Sequence, residues 1–412
     1  MRHLPRLAAA ALLGFALLPA VPASAASGTA SFVRWSSSAD FAKGTSVGLA
    51  PQSGALTLGE GTSVMSYDDP RVSGGAKKYD SGSWTSPWQS TGFSAKSLIP
   101  SWTIQSPTGT WARIEVRVKS GSTTGSWDTV ANYAFSASYI KRASGSAQTD
   151  DLAKLSTDTI LANSGKSFTS WQVRVHLMRP VGAKTTPTLE AVNGTQATYA
   201  TRTTTTSSTT MTKTKELAVP MYSQMIHKGE YPEWGGGGEA WCSPTSTSMV
   251  MRYFGKGPTA ADYAWTSYQD GFVDHAARYT FDYAYDGTGN WPFNTAYAAR
   301  HSLDAFVTRL YTLRDAEAFI NAGIPLVASI AFGKGELDGA PISSTPGHLV
   351  VIRGFTSAGN VIVNDPAASK NSTVRRVYNR AQFEKAWQRG SGGVVYVIRP
   401  TSQALPADTA RW

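Results

Sequence analysis

Cys242 is the only cysteine in this chain, and it lies in the run Trp241-Cys242-Ser243-Pro244-Thr245-Ser246-Thr247. A lone cysteine cannot close a disulfide within its own chain, so it is either a small buried side chain or a reactive thiol. Reactivity needs the thiolate, which a helix N-terminus and a neighbouring imidazole both favour. The spacing predicts that a helix opens at Cys242. Pro244 is tolerated in an opening turn, and Met249, Tyr253 and Phe254 supply an inward face.

The imidazole has six candidates. His3 lies in the leader described below and His176 in a predicted strand. His227, His275 and His301 lie in polar stretches and read as surface residues. His348 differs, because Gly347 precedes it and the apolar strand Leu349-Val350-Val351-Ile352 follows. A side chain at the mouth of a buried strand is rigid and still faces a cleft, so His348 is the expected base.

An imidazole in that role needs an acceptor that orients it and stabilises its charge. Asp365, in Val361-Ile362-Val363-Asn364-Asp365-Pro366, closes the next predicted strand. With Ala358-Gly359 as a two-residue turn, Asp365 falls opposite Ile352, about 13 Å along the strand from His348 at about 3.3 Å per residue. Contact between them requires an earlier turn, a bulge or strong coiling. Asn364 is the competing acceptor, but its side chain is expected on the other face. For a developing oxyanion, the amide of Cys242 and the side chain of Gln224 are the candidate donors.

These residues fall after a Thr/Ser segment, Thr201 to Thr210, that has no apolar periodicity and reads as a linker or an exposed extended connection. Before it, short alternating segments dominate. From Ala112 to Lys119, the residues Ala112, Ile114, Val116 and Val118 share one face, and Arg113, Glu115, Arg117 and Lys119 share the other. Trp171 to Met178 reads as a second strand. This pattern predicts an all-β sandwich-like domain over residues 30–200. Its seven tryptophans either fill that core or form an exposed row for sugar rings. After residues 201–215 the pattern is mixed. Helices are expected over Thr245 to Phe254 and Asp315 to Asn321, and one capped by Asn379. Strands are expected over Leu326 to Ile330, His348 to Phe355, Asn360 to Asn364 and Val394 to Ile398, which together make an α+β domain over residues 216–402.

At the start, Arg2 and Arg6 precede the apolar run Leu7 to Leu18, and Ala23-Ser24-Ala25 offers small residues for cleavage. Residues 1–25 therefore read as a secretory signal peptide. The run is too short to span a bilayer comfortably, so no integral membrane segment is expected. The formal charge of +10 is spread along the chain without a basic block. That fits general affinity for anionic envelope surfaces and not nucleic-acid recognition.

Taken in order, Val219-Pro220-Met221-Tyr222-Ser223-Gln224, Trp241-Cys242-Ser243-Pro244-Thr245-Ser246, Gly347-His348-Leu349-Val350-Val351 and Val363-Asn364-Asp365-Pro366 resemble the papain-like cysteine peptidases related to bacteriocin-processing, double-glycine peptidases. The closer resemblance is to secreted bacterial relatives with an N-terminal β-domain. It implies a papain-like α+β fold with Cys242 as nucleophile, His348 as base and then acid, Asp365 as orienting acceptor and Gln224 as oxyanion donor. It implies a peptide or protein substrate and neither a metal nor an organic cofactor. The resemblance gives the N-terminal domain no role of its own; cell-wall glycan or peptide is the candidate partner if its tryptophans are exposed. A non-catalytic envelope-binding protein and a thiol-dependent acyltransferase are the competing readings. Three departures stand out. The Gln224-to-Cys242 spacing is long and includes Gly235-Gly236-Gly237-Gly238, which reads as a flexible lip on the cleft. Ser243 replaces a glycine common after the cysteine, and no transporter domain follows.

Overall fold

The computed structural model describes residues 29–149, 151–407 and 412, so the predicted signal peptide lies outside the described residues. Among the described residues no helix is long and apolar enough to cross a membrane. The architecture is β-rich, with three antiparallel sheets and few helices.

Two sheets of the N-terminal half pack face to face. One is centred on Ser97–Gln105 and Thr188–Ala197, the other on Trp111–Ser120 and Phe168–Pro180. Alternation explains the packing. Ala112, Ile114, Val116 and Val118 are buried against Leu98, Trp102 and Ile104 of the facing sheet. Of the seven tryptophans, Trp35, Trp84, Trp102, Trp111 and Trp171 are buried. Burying about 150–250 Å² per indole stabilises by about 4–6 kcal/mol each before entropy. Such a core can hold without disulfides. Gly194 is required here: a Cβ would lie 2.3 Å from the Trp171 ring. The outer face is not a plain solvated one. Trp88 is exposed and Trp127 half-buried, and their rings flank the Arg117 guanidinium at 4.9 and 4.5 Å.

The third sheet runs in the order Asp304–Arg309, Val394–Arg399, Leu326–Phe332, Thr345–Phe355, Val361–Asn364 and Arg375–Tyr378. Helices pack on it, and their ends follow their caps. Asn379 accepts from the amides of Ala381 and Gln382 to start Arg380–Ser391. Thr312 and Asp315 form a capping box that starts Leu313–Asn321 two residues earlier than expected. The helix Cys242–Tyr253 opens at the cysteine, but its burial differs from a single inward face. Ser243 to Met251 are all buried, so the helix is enclosed on nearly every side.

Two expectations about the connection between the halves change. The helix Trp291–Arg300 packs on both halves, and its Phe293 and Ala296 belong to the sandwich core, with Phe293 6.1 Å from Trp102 between ring centroids. The Thr-rich segment is extended but pinned. Buried Glu317 accepts from the Thr209 hydroxyl at 2.7 Å, the Thr210 amide at 2.8 Å and the Thr210 hydroxyl at 2.6 Å, and pairs with Arg380 at 2.6 Å. A segment without apolar residues can still be fixed when a buried carboxylate collects its donors.

Candidate active site

Cys242 is half-buried at the first position of its helix. Trp241, the residue before it, gives no side-chain cap. The first amides of a helix have no intrahelical partner, so an uncapped start leaves them for an anion. Two hydroxyls tie this helix to the sheet. Ser243 Oγ lies 2.9 Å from the Tyr396 hydroxyl, and Ser246 Oγ donates to the Leu349 carbonyl at 3.0 Å. Ser246 is four residues after Cys242 and shares its face, and Leu349 adjoins His348. That bond therefore sets the distance between the cysteine helix and the histidine strand.

The strand carrying His348 begins at Thr345, three residues earlier than expected, but Pro346 and Gly347 are exposed. Burial begins at His348. Its Nε2 lies 2.7 Å from Asp365 Oδ1, and Cys242 is near enough to the same ring to favour its charged form. With Nε2 engaged by the carboxylate, Nδ1 is the nitrogen left for sulfur. Burial alone would lower the pKa of His348. Asp365 and, less strongly, Cys242 outweigh it and raise the pKa to about 10. Burial pushes Asp365 up, but His348 and the donors around it hold its carboxyl below the ordinary value.

The 13 Å problem of register is solved in two steps of one residue. The turn is a three-residue loop, with Thr356 N donating to Asn360 O and Gly359 N to Thr356 O, both at 2.9 Å. A bulge at Arg353 then removes a further residue. Asn364 consequently opposes Val351, which puts Asp365 level with Val350, a diagonal neighbour of His348 within side-chain reach. Asn364 faces elsewhere: its Oδ1 accepts from Arg353 at 2.9 Å and its Nδ2 donates to Pro220 O at 3.0 Å. Tyr378 was not singled out by sequence, yet its hydroxyl donates to Asp365 Oδ2 at 2.6 Å. Its only signal is a strand position that depends on the sheet order.

Gln224 is buried in a short 3-10 turn, and its Nε2 donates to the Glu239 carbonyl at 2.6 Å, three residues before Cys242. It does not line the cleft that Cys242 opens into. Gly235 does line that cleft, but the glycine run is a defined turn. Gly235, Gly236 and Gly237 take positive φ, and a Cβ on Gly238 would lie 2.1 Å from the His227 carbonyl. Gly289 and Trp291 also line the cleft, while Asn290 caps the helix behind them.

Two of the histidines expected on the surface are buried. His275 Nδ1 lies 2.9 Å from the Tyr297 hydroxyl. His227 Nδ1 lies 2.8 Å from Glu230 and 3.1 Å from Asp274. Among the described residues these three form the group whose donor atoms, within 4.8 Å of one another, suit a cation. Their separations are those of hydrogen bonds, so a proton on His227 fills the place. Burial opposes that proton, but the two carboxylates raise the His227 pKa.

A cysteine at an uncapped helix start, facing a carboxylate-held histidine, is the constellation of thiol hydrolases as a class. The comparisons narrow the class. Residues 31–218 match the family described as Peptidase C39 N-terminal domain, and residues 216–394 match the Peptidase C39 like family. Together the two matches run from residue 31 to residue 394, so both halves of the chain are similar to C39-like peptidases. No curated protein matches it. Among solved structures, a protein described as a C39-like peptidase from Bacillus anthracis is 14% identical, with 45% of this chain and 98% of that chain covered and a TM-score of 0.29. A Clostridium thermocellum endo-1,4-beta-D-xylanase complexed with xylohexaose is 13% identical, with 40% and 29% covered and a TM-score of 0.14. Superpositions that weak carry no argument about this chain.

Proposed function

We propose that the chain is an exported cysteine peptidase or amidase with a papain-like C-terminal domain, and that it cleaves peptide or protein substrates. The observation that carries this reading is the single His348 ring shared between Asp365, at 2.7 Å, and the sulfur of Cys242. In the reacting state a Cys242 thiolate stands against a His348 imidazolium. Sulfur adds to the scissile carbonyl carbon, and the charge on oxygen is met by the free amides at the helix start. His348 gives its proton to the leaving nitrogen as the C–N bond breaks, which leaves a thioester on Cys242. The ring then takes a proton from water, hydroxide displaces the sulfur, and the acid product leaves. Asp365 keeps its charge throughout and holds the ring in place, with Tyr378 holding Asp365.

A mixed peptide library incubated with wild type and with Cys242→Ala tests the reading. Cleavage by wild type that falls at least about 10³-fold in the variant supports it. Equal cleavage by both, or none by either, sinks it.

A further inference from the structure

The hairpin of Ala153–Ser156 and Thr159–Ala162 belongs to the N-terminal sandwich. Its tip nevertheless lines the cleft of about 560 Å³ into which Cys242 opens. Thr157, at that tip, is a β-branched residue in the left-handed region at φ 54°. Such strain persists only where the surroundings enforce it. Next to it, Asp158 is buried and fixed: the Trp291 amide donates to Oδ2 at 2.9 Å and the Thr159 hydroxyl to Oδ1 at 3.0 Å. The backbone amide of Asp158 also acts on the carboxylate, and since an ionised carboxylate has about four acceptor positions, room for a further donor remains. Burial raises the pKa of Asp158 to about 6, leaving it charged at neutral pH in a place where water screens it poorly.

The rest of the cleft offsets that charge only in part, because two carboxylates face one guanidinium there. The other ionisable residues lining it, apart from Cys242 and the half-exposed Tyr285, are Asp286 and Arg309. Arg309 is buried with its Nη1 donating to the carbonyls of Ala200, Ser391 and Gly392, and it is near enough to Asp158 for the two charges to interact, so it balances one of the two carboxylates and leaves the other. In a chain of formal charge +10, this wall is of the opposite sign. Tyr285 lies close enough to both Asp158 and Cys242 for each to disfavour its ionisation, after burial itself.

We infer that the N-terminal domain supplies one wall of the substrate cleft, and that Asp158 makes it a subsite for a substrate ammonium group near the bond Cys242 attacks. The substrate part of this inference rests on the peptidase reading; the anionic subsite does not. The ammonium is either the α-amine of a peptide or a lysine-type side-chain amine.

Thiol labelling separates the two layers. Cys242 is modified with a trimethylammonium methanethiosulfonate and with neutral methyl methanethiosulfonate, and the ratio of rates is compared across wild type, Asp158→Asn and Thr157→Lys. The expected ratio falls about fivefold or more in both variants. Asp158→Asn keeps the acceptor for Trp291, and Thr157→Lys opposes the same field without touching the carboxylate. An unchanged ratio in both variants overturns the subsite, even if Cys242-dependent cleavage is found. In the second arm, wild type and Asp158→Asn receive peptides with a free or acetylated N-terminus and with lysine or acetyl-lysine. The acetylation that slows wild type but not the variant identifies which amine is read. A reduced ratio with no cleavage of any peptide leaves the subsite standing and removes the peptidase reading.

Discussion

His348 sits between two groups that both favour its proton, and the sign of each effect is fixed by the geometry. Its pKa is raised in the folded chain to about 10. Its stabilising contribution is therefore complete below the ordinary value of about 6.5 and fades as pH rises through about 10. The carboxyl of Asp365 is shifted down, so its contribution is complete above about 3.9 and fades as pH falls below that. Between those limits the pair is intact, and under the proposed mechanism the proton for the leaving group is in place. The alkaline limb of kcat/KM should then lie near pH 10 in wild type. In Asp365→Asn the largest raising influence is gone while burial remains, so the limb should move down by several pH units and kcat/KM should fall about 10²–10⁴-fold. A pH–rate profile from 5 to 10.5 measures both. An unmoved limb would mean that Asp365 does not set the ring's charge.

At the scale of elements, the Thr-rich strap and the His348 hairpin make the same physical point. The strap carries no apolar pattern, so its sequence gives no hint of a fixed path. Its donors are collected by Glu317, and its Ser207 carbonyl accepts from Arg380, both more than a hundred residues further on. Glu317→Ala should destabilise by about 3–5 kcal/mol, because it strands the buried Arg380 charge as well as releasing Thr209 and Thr210. Urea unfolding reads that loss from the midpoint, and a shift under about 1 kcal/mol would show that the strap is not held this way. The hairpin was half legible. Apolar runs announced both strands, and alternation put Asp365 and Asn364 on opposite faces. The bulge at Arg353 was not legible, because its guanidinium answers Leu217, Asn364 and Glu216, partners that no local pattern brings together. The buried His227 and His275 were misread for the same reason. Polar neighbours in sequence say nothing of the carboxylates and the tyrosine that meet those rings in space.

For the whole molecule, the two halves share one core across the helix Trp291–Arg300, and Arg142 of the sandwich donates to the carbonyls of Phe281 and Arg278. Calorimetry of the full chain should therefore give one cooperative transition, whereas two separate ones would show independent domains. Phe293→Ala should lower the stability of the entire unit by about 3–5 kcal/mol. The same union brings the sandwich hairpin to the cleft of Cys242, so under the proposed peptidase function catalysis belongs to both halves together. That claim comes down to a covalent bond on one sulfur. Wild type and Cys242→Ala, mixed with the library peptide that wild type cleaves best and quenched in acid, are digested and weighed by mass spectrometry. Wild type is expected to carry an acyl mass on the peptide containing Cys242, with neither adduct nor cleavage in Cys242→Ala. Cleavage by Cys242→Ala at the wild-type rate would contradict it.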